Sequence, residues 1–274
     1  MTSRVLFRVD RLLEEAASAG LVLGIDTATE RASLALIDSG RIVAECARPT
    51  ASHGADLPDF VAALIAVAGA SFKDLRGIAV GIGPGSFTGL RVGLSYVKGL
   101  AFALGCGVVG ISTFDAIALG VREAYPGVGN RPICTIFDAR KNEVYAALYR
   151  IVADGVERST DTCVGPVEEL AHRISGEAIL AGDSKVIEVS DALRALNENP
   201  ALVDQTDLDS RGRYIAAIGA MRLVRGESDS PAALEPLYVR PPETIFRRRA
   251  AGPEAAITKE GPWSEEKKNS SSSI

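Results

Sequence analysis

From residue 21 onward, apolar segments alternate with short polar turns. They predict three successive strands, Leu21–Thr27, Ala32–Asp38 and Ile42–Arg48, as in an antiparallel meander. The later segments predict, in order, a helix at about Ala55–Ala68, the strand Gly77–Ile82, a helix at about Phe87–Leu104, the strand Val108–Ile111, a helix at about Phe114–Glu123, the strands Ile133–Asp138 and Glu143–Val152, the helix Pro166–Ile174, the strand Ala178–Ala181 and the helix Arg213–Arg225. Because strands start again near residue 131, the pattern predicts an α/β fold of two related lobes.

The predicted helix at Phe87–Leu104 has little polar surface. Its apolar residues form two seams at helical spacing: Leu90, Leu94, Val97, Ala101 and Leu104 in one, and Val92, Tyr96 and Ala103 in the other. A surface helix needs a single apolar stripe, so this helix either lies in the core or contacts a second partner. The sequence leaves both interpretations open, while Arg91 and Lys98 argue against a membrane span.

A glycine-rich segment, residues 81–93, leads into this helix and reads GIGPGSFTGLRVG. The predicted structural loop within it comprises Gly83, Pro84, Gly85, Ser86, Thr88 and Gly89. Its glycines permit positive φ or close backbone approach, the proline fixes the turn, and Ser86 or Thr88 can cap the helix. A helix N-terminus attracts anions, but the spacing matches no established phosphate loop. A phosphate cradle and a plain strand-to-helix connector therefore both stay open.

Composition and charge narrow the classes of function. The formal net charge of −5 argues against this chain alone gripping a nucleic acid backbone, and the basic run at 247–249 is typical of a solvated surface. The four cysteines lack C-x-x-C spacing and the two histidines, His53 and His172, are isolated. Neither a disulfide scaffold nor a metal site is predicted.

Both ends of the chain differ in composition from the rest. Acidic residues interrupt residues 1–20 where a secretory signal needs an unbroken apolar core. In that segment, the apolar positions predict a short amphipathic helix from Val5, Leu6, Val9, Leu12 and Leu13. Residues 250–274 are rich in Glu, Lys and Ser, so we expect a disordered tail.

Several motifs, in the right order, resemble those of the TsaB family, the dimerisation subunit of the bacterial tRNA threonylcarbamoyladenosine machinery. The glycine-rich segment is the most specific of them. The others are Leu23–Thr29 (LGIDTAT), Ser52-His53 followed by Leu57-Pro58, Asp138–Tyr145 (DARKNEVY) and Pro236–Pro241 (PLYVRP). The resemblance covers residues 21–242.

The resemblance implies two ribonuclease-H-like lobes of the actin-like fold, which sugar kinases and Hsp70 chaperones share. Each lobe is then a mixed sheet flanked by helices. We expect residues 21–112 to form the first lobe and 113–242 the second, with 1–20 as an N-terminal extension and 243–274 as the disordered tail. The duplication follows from the resemblance alone, because the sequence shows no clear internal repeat.

The turn at Asp26–Thr29 corresponds to the one that holds Mg²⁺ and phosphates in actin-like phosphotransferases. Asp26 and Thr27 are therefore the candidate cofactor-binding residues, although Asp26 can equally cap its own turn. Asp183 stands where such folds usually have the second of two glycines that admit adenosine, which favours the capping role. The catalytic relative TsaD has metal-binding histidines after the strand corresponding to Val108–Ile111. Residues 110–116 contain none, so we predict no catalytic residue and no metal ligand.

The resemblance thus implies a non-catalytic subunit that scaffolds TsaD for transfer of a threonylcarbamoyl group to N6 of adenosine 37 in tRNA. The chain on its own is then not expected to be an enzyme, but a required subunit of the transferase complex. A small ATP-dependent phosphotransferase that uses Asp26 and Thr27 is the alternative. A metallopeptidase is a third interpretation, which the missing histidines disfavour.

Partners follow from the same resemblance. We expect a heterodimer with TsaD, the ATPase TsaE as a further partner, tRNA bound through the complex, no membrane and a cytoplasmic location. A homodimer without TsaD stays open, as does ATP or ADP with Mg²⁺ at the complex junction, although no cofactor of the chain's own is expected. The helices at about Ala55–Ala68 and Phe87–Leu104 should form the interface, but which seam faces the partner stays open. The candidate interface residues are Phe60, Leu64, Leu94, Val97 and Ala101.

Overall fold

The computed structural model describes residues 5–49, 53–127, 129–173, 178–182, 201–202 and 207–239. The predicted tail, the basic run at 247–249 and Asp183 lie outside these residues. In chain order the elements are β1 Val5–Phe7, α1 Val9–Glu15, β2 Leu21–Asp26, β3 Arg31–Asp38, β4 Arg41–Pro49, α2 His53–Val67, β5 Leu75–Gly83, α3 Phe87–Leu104, β6 Gly107–Ser112, α4 Thr113–Ala124, β7 Ile133–Arg140, β8 Glu143–Val152, β9 Gly155–Arg158, β10 Cys163–Pro166, α5 Val167–Arg173, β11 Ile179–Gly182, β12 Ala201–Leu202 and α6 Arg211–Val224.

The strands form two mixed sheets flanked by helices, which confirms the expected α/β class. The first sheet has the order β4-β3-β2-β5-β6, and the second runs β1-β9-β8-β7-β11-β12, with β10 beside β8. In each sheet, three successive strands pair antiparallel and two later strands add in parallel on the other side. Setting aside β1 and β10, both sheets therefore repeat one topology. The strand order therefore shows a duplicated lobe topology, although the sequence has no clear internal repeat.

Helices cover both faces of the first sheet. Successive side chains of a strand point to opposite faces, so β2 contributes to two packing layers. Its Leu23 and Ile25 join the apolar cluster under α2 and α3, while Val22 packs against Ala220 of α6. Among the described residues no helix, α3 included, combines the length and the hydrophobicity needed to cross a membrane.

Two elements lie across the lobe ranges expected from the sequence, which themselves stay predictions. α6 falls in the range expected for the second lobe, yet it packs on β2, β3 and β5 of the first sheet. β1 belongs to the expected N-terminal extension, yet it pairs with β9 of the second sheet.

The short strands are where sequence reasoning failed. The helix expected from Val5 onward is wrong for its first part, since Val5–Phe7 is a strand and helix begins only at Val9. A three-residue strand forms because an edge strand, β9, offers it hydrogen-bond partners, and no local pattern reveals that. β9 and β10 were missed for the same reason. The predicted hairpin at Asp138–Tyr145 is confirmed by the antiparallel pairing of β7 with β8.

Candidate functional site

Asp26, the candidate phosphate-site carboxylate, lies at the end of β2 and is fully buried. Its Oδ1 accepts a hydrogen bond from the Ala28 amide at 3.1 Å and forms an ion pair with Arg211 Nε at 3.0 Å. Its Oδ2 accepts from Thr113 Oγ1 at 2.8 Å. Both carboxylate oxygens are thus engaged by groups of this chain, and a buried cation neutralises the charge.

Arg211 supplies that cation from the first residue of α6, and it is itself buried at 3% exposure. Its Nη2 donates to Thr29 Oγ1 at 2.7 Å and to the Arg31 carbonyl at 3.1 Å. The guanidinium of Arg211, at the start of α6, therefore bonds to residues along the Asp26–Thr29 turn and beyond it. Among the described residues no cluster of three or more His, Cys, Asp or Glu side chains is placed to hold a metal ion.

Thr27, the other candidate cofactor-binding residue, is also fully buried. Its Oγ1 donates to the Gly89 carbonyl in the first turn of α3 at 2.8 Å. Gly93 lies one turn further along, and a Cβ there would come well inside 3.0 Å of Thr27 Oγ1. This hydrogen bond connects the end of β2 to α3, and the Thr27 side chain is not exposed to solvent.

The glycine-rich loop packs directly on this turn. The Ser86 amide donates to the Ala28 carbonyl at 2.7 Å, and Ser86 Oγ accepts from the Gly89 amide at 3.2 Å, which makes Ser86 the helix N-cap. Gly85 has φ 154°, and a Cβ there would clash with the Ala28 carbonyl. Two amides that would face a phosphate are bonded within the chain. The geometry therefore favours the connector interpretation of this loop over a phosphate cradle.

Two glycines of α3 should respond oppositely to alanine. Gly93→Ala is expected to destabilise the protein by about 1–3 kcal/mol, because the added methyl group overlaps Thr27. Gly99 has nothing within 4 Å of an added Cβ, so Gly99→Ala should stabilise it by about 0.5–1 kcal/mol through helix propensity. Urea denaturation of both variants tests this. Equal shifts in the free energy of unfolding would show that the contact between Thr27 and α3 is not close.

The predicted interface residues lie mostly inside the protein. Leu94, Val97 and Ala101 are buried on the seam of α3 that faces β5 and β6, and Leu64 of α2 joins the same apolar cluster. Phe60 is half-buried, with the Arg48 guanidinium 5.9 Å from its ring centroid. The residues that contact a partner therefore stay a prediction. The longest aliphatic seam of α3 covers the sheet and leaves little surface for a partner.

A different surface of the same two helices is exposed and apolar. We call it the outer helix face, and it comprises Ala55, Ala62, Ala63, Ala66 and Val67 of α2 and Ser95, Gly99, Phe102 and Ala103 of α3. Phe102 is 90% exposed and Val67 78% exposed. Asp59 is exposed among the α2 residues of this face, and from Phe60 to Ala68 the chain carries no charged residue. Sequence patterns do not reveal this face, because Phe102 belongs to neither apolar seam, and alanines and glycines give no strong periodic signal.

A second polar cluster ties α4 to the second sheet. Tyr149 Oη donates to Asp115 Oδ1 at 2.8 Å, and Arg158 Nη2 lies 2.5 Å from the same oxygen. Burial first, and then the Asp115 charge, raise the pKa of Tyr149 well above its usual value. The phenol therefore stays neutral, and its hydrogen bonds serve packing between α4 and the sheet.

Comparisons with known proteins find similarity to proteins of tRNA threonylcarbamoyladenosine biosynthesis. Residues 42–192 match the family described as TsaD, tRNA N6-adenosine threonylcarbamoyltransferase. The "tRNA threonylcarbamoyladenosine biosynthesis protein TsaB" of Escherichia coli K12 is 33% identical over 165 residues, which cover 59% of this chain and 70% of that protein. A Mycobacterium tuberculosis H37Rv protein described as uncharacterised is 31% identical over 229 residues, covering 81% of this chain and 92% of its own length.

One solved structure superposes on this protein over the whole length of its own chain. It is a crystal structure from Pseudomonas aeruginosa, described as an uncharacterised protein with similarity to peptidase YEAZ. It superposes with a TM-score of 0.62 at 27% sequence identity, covering 81% of this chain and all of that one.

Proposed function

We propose that this chain, which belongs to the TsaB family and to the wider family of TsaD, scaffolds TsaD during tRNA modification. Its homologues are named for tRNA threonylcarbamoyladenosine biosynthesis, and the chain is a subunit of the complex that makes this nucleoside. In this role it positions TsaD for threonylcarbamoyl transfer to N6 of adenosine 37 and carries no catalytic residue itself. Binding the competent TsaD conformation preferentially is enough to favour it.

The outer helix face is the observation that carries this proposal. Exposed apolar residues grouped on two neighbouring helices are typical of an interaction site, and an exposed phenylalanine is a typical anchor for a partner's pocket. The alanines and Gly99 around Phe102 have small or no side chains, so the helices of a partner can approach this face closely. This face supports a helix–helix interface with TsaD, and the same face supports a homodimer when TsaD is absent.

The Asp26–Arg211 pair supports a scaffold over the alternative phosphotransferase. A carboxylate that holds Mg²⁺ needs an oxygen free for the metal or for its bound water. Here Oδ1 of Asp26 accepts two hydrogen bonds and Oδ2 one, and the carboxylate is fully buried with its charge paired to Arg211. Thr27 is likewise committed to α3. A metallopeptidase receives no support from the described residues, which hold no metal-ligand cluster.

Further partners belong to the same proposal. TsaE acts as the ATPase of the assembly, and any ATP or ADP with Mg²⁺ lies at the junction of the three proteins. The net charge of −5 supports tRNA binding through a partner's basic surface and not through this chain alone. A protein of tRNA modification is proposed to work in the cytoplasm.

Reconstitution from purified proteins tests the proposal. Unmodified tRNA, threonylcarbamoyl-adenylate, TsaD, TsaE and ATP are incubated with and without this chain, and nucleoside mass spectrometry counts threonylcarbamoyladenosine. We expect product only when the chain is present. Calorimetric titration of the chain alone with ATP and Mg²⁺ should show no binding. Product formed equally without the chain would overturn the scaffold, and tight ATP binding by the chain alone would favour the phosphotransferase.

A further inference from the structure

Residues 5–20 contact both lobes, and we call them the N-terminal strap. At its first end, β1 extends the second sheet by pairing antiparallel with β9, with Leu6 opposite Val156. The Arg8 amide then donates to the Asp154 carbonyl at 2.7 Å. The Val9 amide donates to Glu123 Oε1 of α4 at 3.3 Å. This end of the strap is therefore bound to elements of the second lobe.

The other end of the strap binds the first sheet and its covering helix. α1 packs along α6, and Glu15 forms an ion pair with Arg225 at the end of α6 at 2.5 Å. Ala16 is fully buried against Val22 of β2. The β3–β4 turn meets the strap so closely that a Cβ at Gly40 would clash with the Leu13 carbonyl. These contacts all involve the first sheet or α6, the helix that covers it.

Large apolar side chains hold the strap between these two ends. Leu6 and Val9 are buried and Leu12 is completely so. All three join the apolar cluster that contains Ile117 of α4 and Tyr214 of α6. α4 packs on the second sheet and α6 on the first, and the two helices contact each other. The strap thus lies over the seam where the lobes meet.

The position of the strap matters because the two sheets are joined by only a few chain connections in the described residues. In the described residues the chain passes from the first sheet to α4 after Ser112, and it comes back from the second sheet to α6, which begins at Arg211. Rotation of two lobes about such connections is a common motion of hinged proteins. The strap adds another connection, whose ends are a strand pair on one lobe and a packed helix on the other.

We propose that the N-terminal strap is a clamp that fixes the relative orientation of the two lobes. Rotation would have to break the β1–β9 pairing or pull α1 off α6, and either step exposes Leu6, Val9 or Leu12. The clamp keeps the α4–α6 seam closed, and its release is the step that allows the lobes to move. This proposal does not depend on the identity of the partner at the outer helix face.

Hydrogen exchange of the full chain tests the clamp. Leu12→Asp places a charge in the strap's buried contact with the seam, and Leu12→Ala is a milder change at the same position. We expect both variants to increase amide exchange in α4 and α6 by about tenfold or more, while β2 and β5 stay protected and far-UV circular dichroism is kept. Arg11→Ala is the control, because its ion pair with Asp154 is exposed, and it should leave the seam unchanged.

Two results would overturn the clamp. In the first, the strap's own amides exchange faster in the Leu12 variants while those of α4 and α6 do not change, which means that the strap covers the seam without holding it. In the second, even Leu12→Ala removes the protection of β2 and β5 together with that of the seam. The strap is then an ordinary part of one cooperative core.

Discussion

Replacing Arg211 by alanine is expected to destabilise the protein by about 3–5 kcal/mol, the size of effect seen when one partner of a buried ion pair is removed. The substitution leaves the Asp26 carboxylate buried without its cation, and it also removes the donor to Thr29 and the Arg31 carbonyl. An unpaired charge in the interior costs far more than the lost contact itself, because water cannot replace the guanidinium there. The free energy of unfolding from urea denaturation measures the effect.

Two further variants separate the buried pair from the general loss of an arginine. Arg213, two residues along α6, pairs with Glu45 at the surface, so Arg213→Ala should cost less than about 1 kcal/mol. Asp26→Asn combined with Arg211→Met removes both charges, and it should destabilise less than Arg211→Ala alone. If Arg211→Ala costs no more than Arg213→Ala, the pair does not hold the Asp26–Thr29 turn together.

Phe102→Asp is expected to weaken the complex with TsaD by at least about 30-fold, or roughly 2 kcal/mol, the size of an interface hot spot. Phe102 is 90% exposed in the chain alone, so the same substitution should leave the melting temperature unchanged. Gly99→Arg should act in the same direction, because nothing fills the space beside it until a partner arrives. Binding of purified TsaD by calorimetry, beside thermal unfolding of each variant, gives both quantities.

The matched control for Phe102 is Val43→Asp, which places the same charge on an exposed apolar position of the edge strand β4. It should not affect TsaD binding. Val97→Asp is a contrasting variant, since Val97 is fully buried and the charge should unfold the first lobe. An unchanged affinity in both Phe102→Asp and Gly99→Arg would place the interface elsewhere.

Sequence patterns predicted the elements that depend on local information. The aliphatic strands of the first sheet, the long α3 and the β7–β8 hairpin all carry their own periodicity and turn residues, so their existence and order follow from short windows. The three-residue β1 lacks such a signal, since it forms only where β9 presents a free edge. The strand order of each sheet is equally a matter of tertiary pairing.

The site was harder to predict for two physical reasons. Arg211 and Asp26 are 185 residues apart, so the sequence left Asp26 as a candidate for phosphate binding or turn capping without showing the buried partner that pairs with it. The candidate interface residues included Leu94 and Val97 because they form the strongest apolar seam of α3, while the sequence left open which seam faces a partner. Large aliphatic residues bury best against the chain's own sheet, whereas a docking face of alanine and glycine looks neutral in sequence.

The position of α6 has a consequence for how the protein is made. The strands of the first sheet are synthesised early, but the helix that covers one of their faces ends at Val224, after the whole second sheet. Until that helix emerges from the ribosome, apolar residues of β3, β5 and β6 such as Ala35, Ala79 and Val109 lack the cover that it provides. Domains whose last element is synthesised late expose hydrophobic surface during translation, and chaperones bind such surface. The first lobe of this protein can therefore finish folding only after the second has been synthesised.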